Sequence, residues 1–144
     1  MNKTICVSGG FDPLHVGHVR LIESASEHGD VFVILNSDEW LMRKKGYMFM
    51  TFDERKEIIQ SMRSVHDVVE VNDNDGTVCE ALKRIRPHFF GNGGDRLSDN
   101  VPEVGLCKEL GIKMVFNLGG EKIQSSSDLV QSYKEMSENS ENRP

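Results

Sequence analysis

Apolar and polar positions alternate along the chain in blocks. Thr4-Ile5-Cys6-Val7-Ser8 is a short β-branched run ending in two glycines. Val31-Phe32-Val33-Ile34-Leu35 is continuously apolar, the pattern of a strand covered on both faces. Val68-Val69-Glu70-Val71, His88-Phe89-Phe90 and Lys113-Met114-Val115-Phe116 are the other strand-like runs. Helical stretches fall between them. The first runs from about His15 to Glu27, with Val19, Leu21, Ile22 and Ala25 supplying its apolar faces, and His28-Gly29-Asp30 breaks it. Ser37 caps a short helix through Trp40 and Leu41, and Lys45-Gly46-Tyr47 opens a loop. Thr51-Phe52-Asp53-Glu54 and Thr77-Val78-Cys79-Glu80 both have capping-box spacing. They predict helices to about Met62 and to Ile85, the second stopped by Pro87. Val101 to Leu110 reads as a helix with Gly111 as its stop, and Ser125 to about Lys134 as the last.

Strands thus alternate with helices about five times. That order predicts an α/β, Rossmann-like, doubly wound fold, with a five-stranded parallel sheet and helices on both faces. The chain divides into one domain over 1–134 and a polar tail over 135–144, expected to be disordered. Ligands of such sheets bind beyond the carboxyl ends of the strands. Gly9-Gly10 follows the first strand, Asn36-Ser37-Asp38 the second, Gly91 to Asp95 the fourth and Gly119-Gly120 the fifth. Three of these ends are glycine-rich, which lets backbone approach a ligand closely.

Composition narrows the picture. A net charge of −6 argues against a general nucleic-acid binder, though Arg43-Lys44-Lys45 offers a local basic pocket for a polyanion. The three cysteines, Cys6, Cys79 and Cys107, are odd in number and widely spaced, which suits free thiols in a reducing cytoplasm. The N-terminal run is too short for a signal sequence. No stretch reaches the ~20 apolar residues of a membrane span.

The densest chemistry lies in Gly9-Gly10-Phe11-Asp12-Pro13-Leu14-His15-Val16-Gly17-His18. Two glycines turn the chain and expose amides, and the following helix points its N-terminus into the same space, which favours phosphate. His15 and His18, three apart, share one helix face. Gly17 leaves room between them for a phosphate chain. Two imidazoles there can donate to phosphoryl oxygens as charge develops. A metal site would need a third ligand with convincing spacing, and none is evident. A pure helix-capping role would have to coincide with the Gly-Gly turn. Neither a Walker A nor a GxGxxG pattern is present.

The segment resembles the G-x-F-D-x-x-H-x-G-H signature of the cytidylyltransferase-like nucleotidylyltransferases. The resemblance continues through Asn36-Ser37-Asp38, Lys45-Gly46, Glu54-Arg55, Gly93-Gly94-Asp95 and Ser125-Ser126-Ser127, over roughly residues 3 to 130. It is similar both to glycerol-phosphate cytidylyltransferases and to heptose-phosphate adenylyltransferase domains. The resemblance implies attack of a phosphomonoester on the α-phosphorus of ATP or CTP, with pyrophosphate leaving and Mg²⁺ neutralising the β- and γ-phosphates.

By that resemblance His15 and His18 stabilise the pentacovalent α-phosphate, and Lys45, or Lys44, bridges the triphosphate and the acceptor. Gly9, Gly10, Phe11, Lys44, Arg55, Gly93, Gly94, Asp95, Ser125 and Ser126 are the nucleotide-binding candidates. Asp12, Asp38 and Trp40 are the acceptor-binding candidates, with core packing the stronger reading of Trp40. No protein-held metal is expected. Each candidate has a plainer role: a solvated lysine face, a surface arginine, a turn at Gly93-Gly94-Asp95, an N-cap at Ser125. Gly-Gly-Asp matches the adenylyltransferase pattern, and Asp128 departs from the family's basic or amide residue after the serine segment. ATP and CTP both stay open. Alternatives are an FMN or pantetheine-phosphate adenylyltransferase and a non-catalytic nucleotide-binding module. Small members of the family imply a homodimer.

Overall fold

The computed structural model describes residues 2–94, 101–120 and 126–141, with side chains in the last stretch described for 129–136. The elements run β1 (Thr4–Gly9), α1 (Val16–Ser26), β2 (Asp30–Leu35), α2 (Asp38–Lys45), α3 (Phe52–Gln60) and β3 (Val65–Glu70), then α4 (Cys79–Ile85), β4 (Phe89–Gly93), α5 (Val104–Leu110), β5 (Lys113–Leu118) and α6 (Ser126–Glu141). The strands form one sheet in the order β3-β2-β1-β4-β5. All pairings are parallel, with Gly9 opposite Leu35 at the carboxyl end of the β1–β2 pair. The predicted Rossmann-like α/β fold is therefore present.

Strand periodicity explains why helices cover both faces. Ile5 and Val7 of β1 pack with Val31, Val33 and Leu35 of β2, and with Ile22 and Ala25 of α1 and Ile59 of α3. The intervening Cys6 and Ile34 turn to the other face, against Ala81 and Leu82 of α4 and Cys107 of α5. Side chains of successive strand residues alternate between faces, so a continuous apolar run fills two cores at once. All three cysteines are free thiols. Burial pushes Cys6 up to about 12 and Cys107 up to about 11, which keeps both protonated and unreactive.

Element boundaries differ from expectation in several places, with β3 starting earlier, at Val65, and α5 later, at Val104. α2 extends through Lys45 to a left-handed Gly46, because its lysines continue the helix until glycine allows the αL cap. α4 begins at Cys79, and its capping box is absent. Asp75 takes the Thr77 N–H, and Glu80 turns to the Asn72 N–H and to Arg84. The last helix continues to Glu141, past Lys134 and into the segment expected to be disordered. Gln131 bonds Glu135 across one turn, and no glycine or proline interrupts the run before Pro144. Among the described residues no helix is long and apolar enough to cross a membrane.

Candidate functional site

The sheet order places a switch point between β1 and β4, where the chain turns outward in opposite directions. The predicted first segment lies there. Gly9 ends β1, and Phe11 follows with φ 51°. Such a conformation costs a bulky residue on the order of 1–3 kcal/mol, and burial of the ring offsets it. The Phe11 side chain is 3% exposed in the core and meets the His18 ring edge-on at 4.8 Å. Phe11 thus supports His18 from beneath. Its ring does not reach the surface as a nucleotide-binding side chain would.

Asp12 also departs from expectation. It is fully buried, and its two carboxylate oxygens accept the N–H groups of Phe49 (2.7 Å) and Met50 (3.0 Å). The side chain read as an acceptor contact instead anchors the loop between α2 and α3. A buried carboxylate is stable only with such partners.

His15 and His18 form a reciprocal cap on α1. His15 Nδ1 accepts the Gly17 N–H at 3.1 Å, and the His15 N–H donates to His18 Nδ1 at 3.3 Å. Their rings stack with centroids 3.9 Å apart. The cap engages Nδ1 of each ring. An Nδ1 that accepts a hydrogen bond carries no proton, so each neutral ring is protonated at Nε2. Burial, then the neighbouring His15 ring and the Lys45 ammonium, drive the His18 pKa down to about 3. The ring is therefore a neutral donor at physiological pH.

α2 forms the facing wall, and the predicted basic triad divides there. The Arg43 guanidinium donates to the Asp73 carbonyl at 2.9 Å. Lys44 is exposed, its ammonium 4.7 Å from the centre of the Trp40 ring. Lys45 donates to the Asp12 carbonyl at 3.3 Å. Burial holds the Lys45 pKa below its ordinary value. Asp12 opposes that effect, and the charges of Lys44 and Arg55 add to it. Gly10 lets this wall approach. A Cβ there would lie 2.6 Å from Leu41 and 3.2 Å from Trp40, so Trp40 packs against the loop while remaining half-exposed.

Arg55, expected to bind nucleotide, is fully buried. It donates to the carbonyls of Gly10 (2.8 Å), Asn36 (2.8 Å) and Met50 (3.1 Å), and pairs with Asp38 at 2.7 Å. Its donors stitch the ends of β1 and β2 to α2 and the following loop. Asp38, read as an acceptor contact, is likewise engaged by this ion pair.

Beyond β4, Gly94 is exposed, and a Cβ on it would meet the Gly120 carbonyl at 2.6 Å, so the ends of β4 and β5 touch. Gly93 is the last residue of β4. Asp95 and Ser125 lie outside the described residues, and Ser126 opens α6. The structure brings together Gly9, Gly10, His15, His18, Trp40, Lys44 and Lys45. Asp73, read from sequence only as part of a turn, was missed. Its carboxylate accepts from Asn36 Nδ2 (3.0 Å), Ser37 N (2.8 Å) and Ser37 Oγ (2.6 Å). No local signal separates it from the other acidic and amide residues of Asn72-Asp73-Asn74-Asp75.

Comparison with known proteins places the chain in a family. The model of the cytidylyltransferase-like family matches residues 6–140. The bifunctional protein HldE of Aliarcobacter butzleri (strain RM4018) is 33% identical over 132 residues, covering 90% of this chain and 27% of that protein. The FAD synthase of Pyrococcus abyssi (strain GE5 / Orsay) is 31% identical over 114 residues, covering 74% of this chain and 76% of that protein. The chain thus spans about a quarter of the length of the HldE relative. The lipopolysaccharide core biosynthesis protein from Thermoplasma volcanium GSS1 superposes with TM-score 0.69 at 18% identity, over 85% of this chain and 100% of that one. At that identity the likeness concerns the fold.

Proposed function

The chain belongs to the cytidylyltransferase-like family of nucleotidyltransferases, and we propose that it transfers a nucleoside monophosphate from ATP or CTP to a small phosphomonoester, releasing pyrophosphate. The observation that carries this reading is the His15–His18 pair at the α1 N-terminus, each ring fixed as an Nε2–H donor. An acceptor phosphate oxygen attacks the α-phosphorus. A new P–O bond forms, and the bond to the β-phosphate bridging oxygen breaks, its electrons leaving with pyrophosphate. The nucleophile is already an anion, so no general base is required. The protein's work is alignment and charge neutralisation. His15 and His18 donate to the α-phosphoryl oxygens, and Lys45, beside His18, bridges the triphosphate and the acceptor.

Among the described residues, no group of three or more His, Cys, Asp or Glu side chains is arranged to hold a metal ion. Mg²⁺ is accordingly proposed as part of the substrate, carried by the β- and γ-phosphates. The glycine-rich end of β4, with Asp95, is proposed for base or ribose contact. Ser125 and Ser126 are proposed for contact with the β- and γ-phosphates.

Two acceptor classes have relatives behind them: a sugar phosphate, by similarity to HldE, and FMN, by similarity to the FAD synthase. A matrix of ATP and CTP against sugar phosphates, glycerol 3-phosphate and FMN, read as pyrophosphate release with Mg²⁺, separates them. Nucleotide binding without release across the matrix would mark a non-catalytic module. Full turnover by His18→Ala would overturn the mechanism. A homodimer is proposed by family likeness, and sedimentation velocity tests it.

A further inference from the structure

We propose that Asp73 is a positioning residue that fixes where α2 presents Lys44 and Lys45 to the reacting phosphates. This inference rests on the transfer reading above. Asp73 is 2% exposed and lies in the loop after β3, on a different element from the proposed chemistry. Its carboxylate receives three hydrogen bonds at the start of α2, from Asn36 Nδ2, Ser37 N and Ser37 Oγ. Its carbonyl receives the Arg43 guanidinium near the end of the same helix. One residue therefore ties down both ends of an eight-residue helix.

Apolar packing on α2 is narrow, and the Arg55–Asp38 ion pair holds only its first residue, so Asp73 is the attachment that reaches both ends. Leu41 is its one fully buried side chain, and Met42, Arg43 and Lys44 are exposed. A helix with so narrow an apolar contact can rock about it, and directional hydrogen bonds remove that freedom. Asp73 also sets the cap. Ser37 donates its hydroxyl proton to Asp73, which leaves its lone pairs to accept the Trp40 N–H at 3.0 Å. Burial would raise the Asp73 carboxyl. The hydrogen bonds from Ser37 and Asn36 outweigh burial and hold it below its ordinary value, so it stays an anion with acceptors only. From the other end of α2, Lys45 reaches the Asp12 carbonyl in the histidine loop. A shift of the helix therefore changes the spacing between Lys45 and His18.

The test uses Asp73→Asn, which keeps size but puts an N–H₂ where an acceptor is needed, and Arg43→Met, which frees only the far end. Amide hydrogen exchange of the free protein is read over residues 38–45 and over α1. Kinetics are read with the nucleotide and acceptor found active in the matrix. Both variants are expected to speed exchange in 38–45 by about tenfold or more, with α1 unchanged. They are also expected to lower kcat/KM for the acceptor by about tenfold and to weaken nucleotide affinity, since α2 carries Lys44 and Lys45.

Unchanged exchange in 38–45 overturns the proposal. Faster exchange with wild-type acceptor kinetics overturns it too. If Asp73→Asn does not fold, Arg43→Met carries the decision, since it leaves the carboxylate network intact. If the wild-type chain transfers nothing in the matrix, the transfer reading fails, and the exchange measurement alone judges whether Asp73 fixes α2.

Discussion

Each of the two histidines uses its Nδ1 in the cap of α1, and the transfer proposed above asks Nε2 to donate to the α-phosphate. Asparagine and glutamine can separate these duties, because an Asn Oδ1 sits near the Nδ1 position and a Gln Nε2 near the Nε2 position. His18→Asn is expected to keep the cap and the melting temperature but lose about 10²–10³ in kcat, the usual cost of one oxyanion donor. His18→Gln is expected to keep more activity and lose about 0.5–2 kcal/mol of stability, as for other broken caps. Thermal melts and pyrophosphate release on the two variants check this. The depressed His18 pKa has its own signature. The unfolded imidazole protonates near 6.5, and the folded one only near 3. Between those values the unfolded state binds more protons, so stability is fully present above pH 6.5 and declines as pH falls toward 3. The melting temperature of His18→Gln is expected to fall less steeply across that window than that of the wild type. Arg55 belongs at this scale too. Arg55→Ala leaves the buried carbonyls of Gly10 and Asn36, the part-buried carbonyl of Met50 and Asp38 without their partner, and about 3–5 kcal/mol of destabilisation is expected in urea unfolding.

At the scale of elements, the site is an arrangement of one helix end and one helix side. α1 contributes its N-terminus and both imidazoles, while α2 lays Trp40 and Leu41 against Gly10. Gly10→Ala is expected to push Leu41 and Trp40 outward at a cost of about 1–3 kcal/mol, and to weaken acceptor use more than nucleotide binding. A crystal structure of the variant, with its urea midpoint, tests both statements. The helix boundaries teach the same lesson as the site. Ser37 and Thr51 cap as their sequences indicate, each accepting the N–H three residues on. Thr77 and Glu80 have the same spacing and do not form a box, because Asp75, Asn72 and Arg84 compete for their groups. Spacing makes a cap possible, and the neighbouring side chains decide whether it forms.

At the scale of the whole molecule, the order β3-β2-β1-β4-β5 makes one crevice between the ends of β1 and β4. The two segments richest in predicted chemistry, Gly9 to His18 and Gly91 to Asp95, follow those two strands. In the proposed function, triphosphate attraction by a chain of net charge −6 rests on Lys44, exposed beside Trp40, and Lys45, bonded to the Asp12 carbonyl. The attraction is expected to weaken with ionic strength, since Lys44 is exposed and the Debye length falls to about 8 Å at physiological salt. Nucleotide affinity measured from low to physiological salt checks this. An unchanged affinity would mean that backbone amides, rather than the lysines, dominate.

The amino-acid pattern by itself determined the parallel α/β sheet, the two-sided core and the histidine loop. These follow from local periodicity, glycine placement and the chemistry of a short contiguous segment. Tertiary structure alone showed which polar residues are engaged in holding the frame. Asp12, Arg55 and Asp73 read as candidate contacts or turn residues because a charged side chain looks the same in sequence whether it is solvated or buried. Apart from the Met50 carbonyl, five positions from Arg55, their partners lie 17 to 45 positions away along the chain, so only the folded arrangement shows that their charges are already engaged.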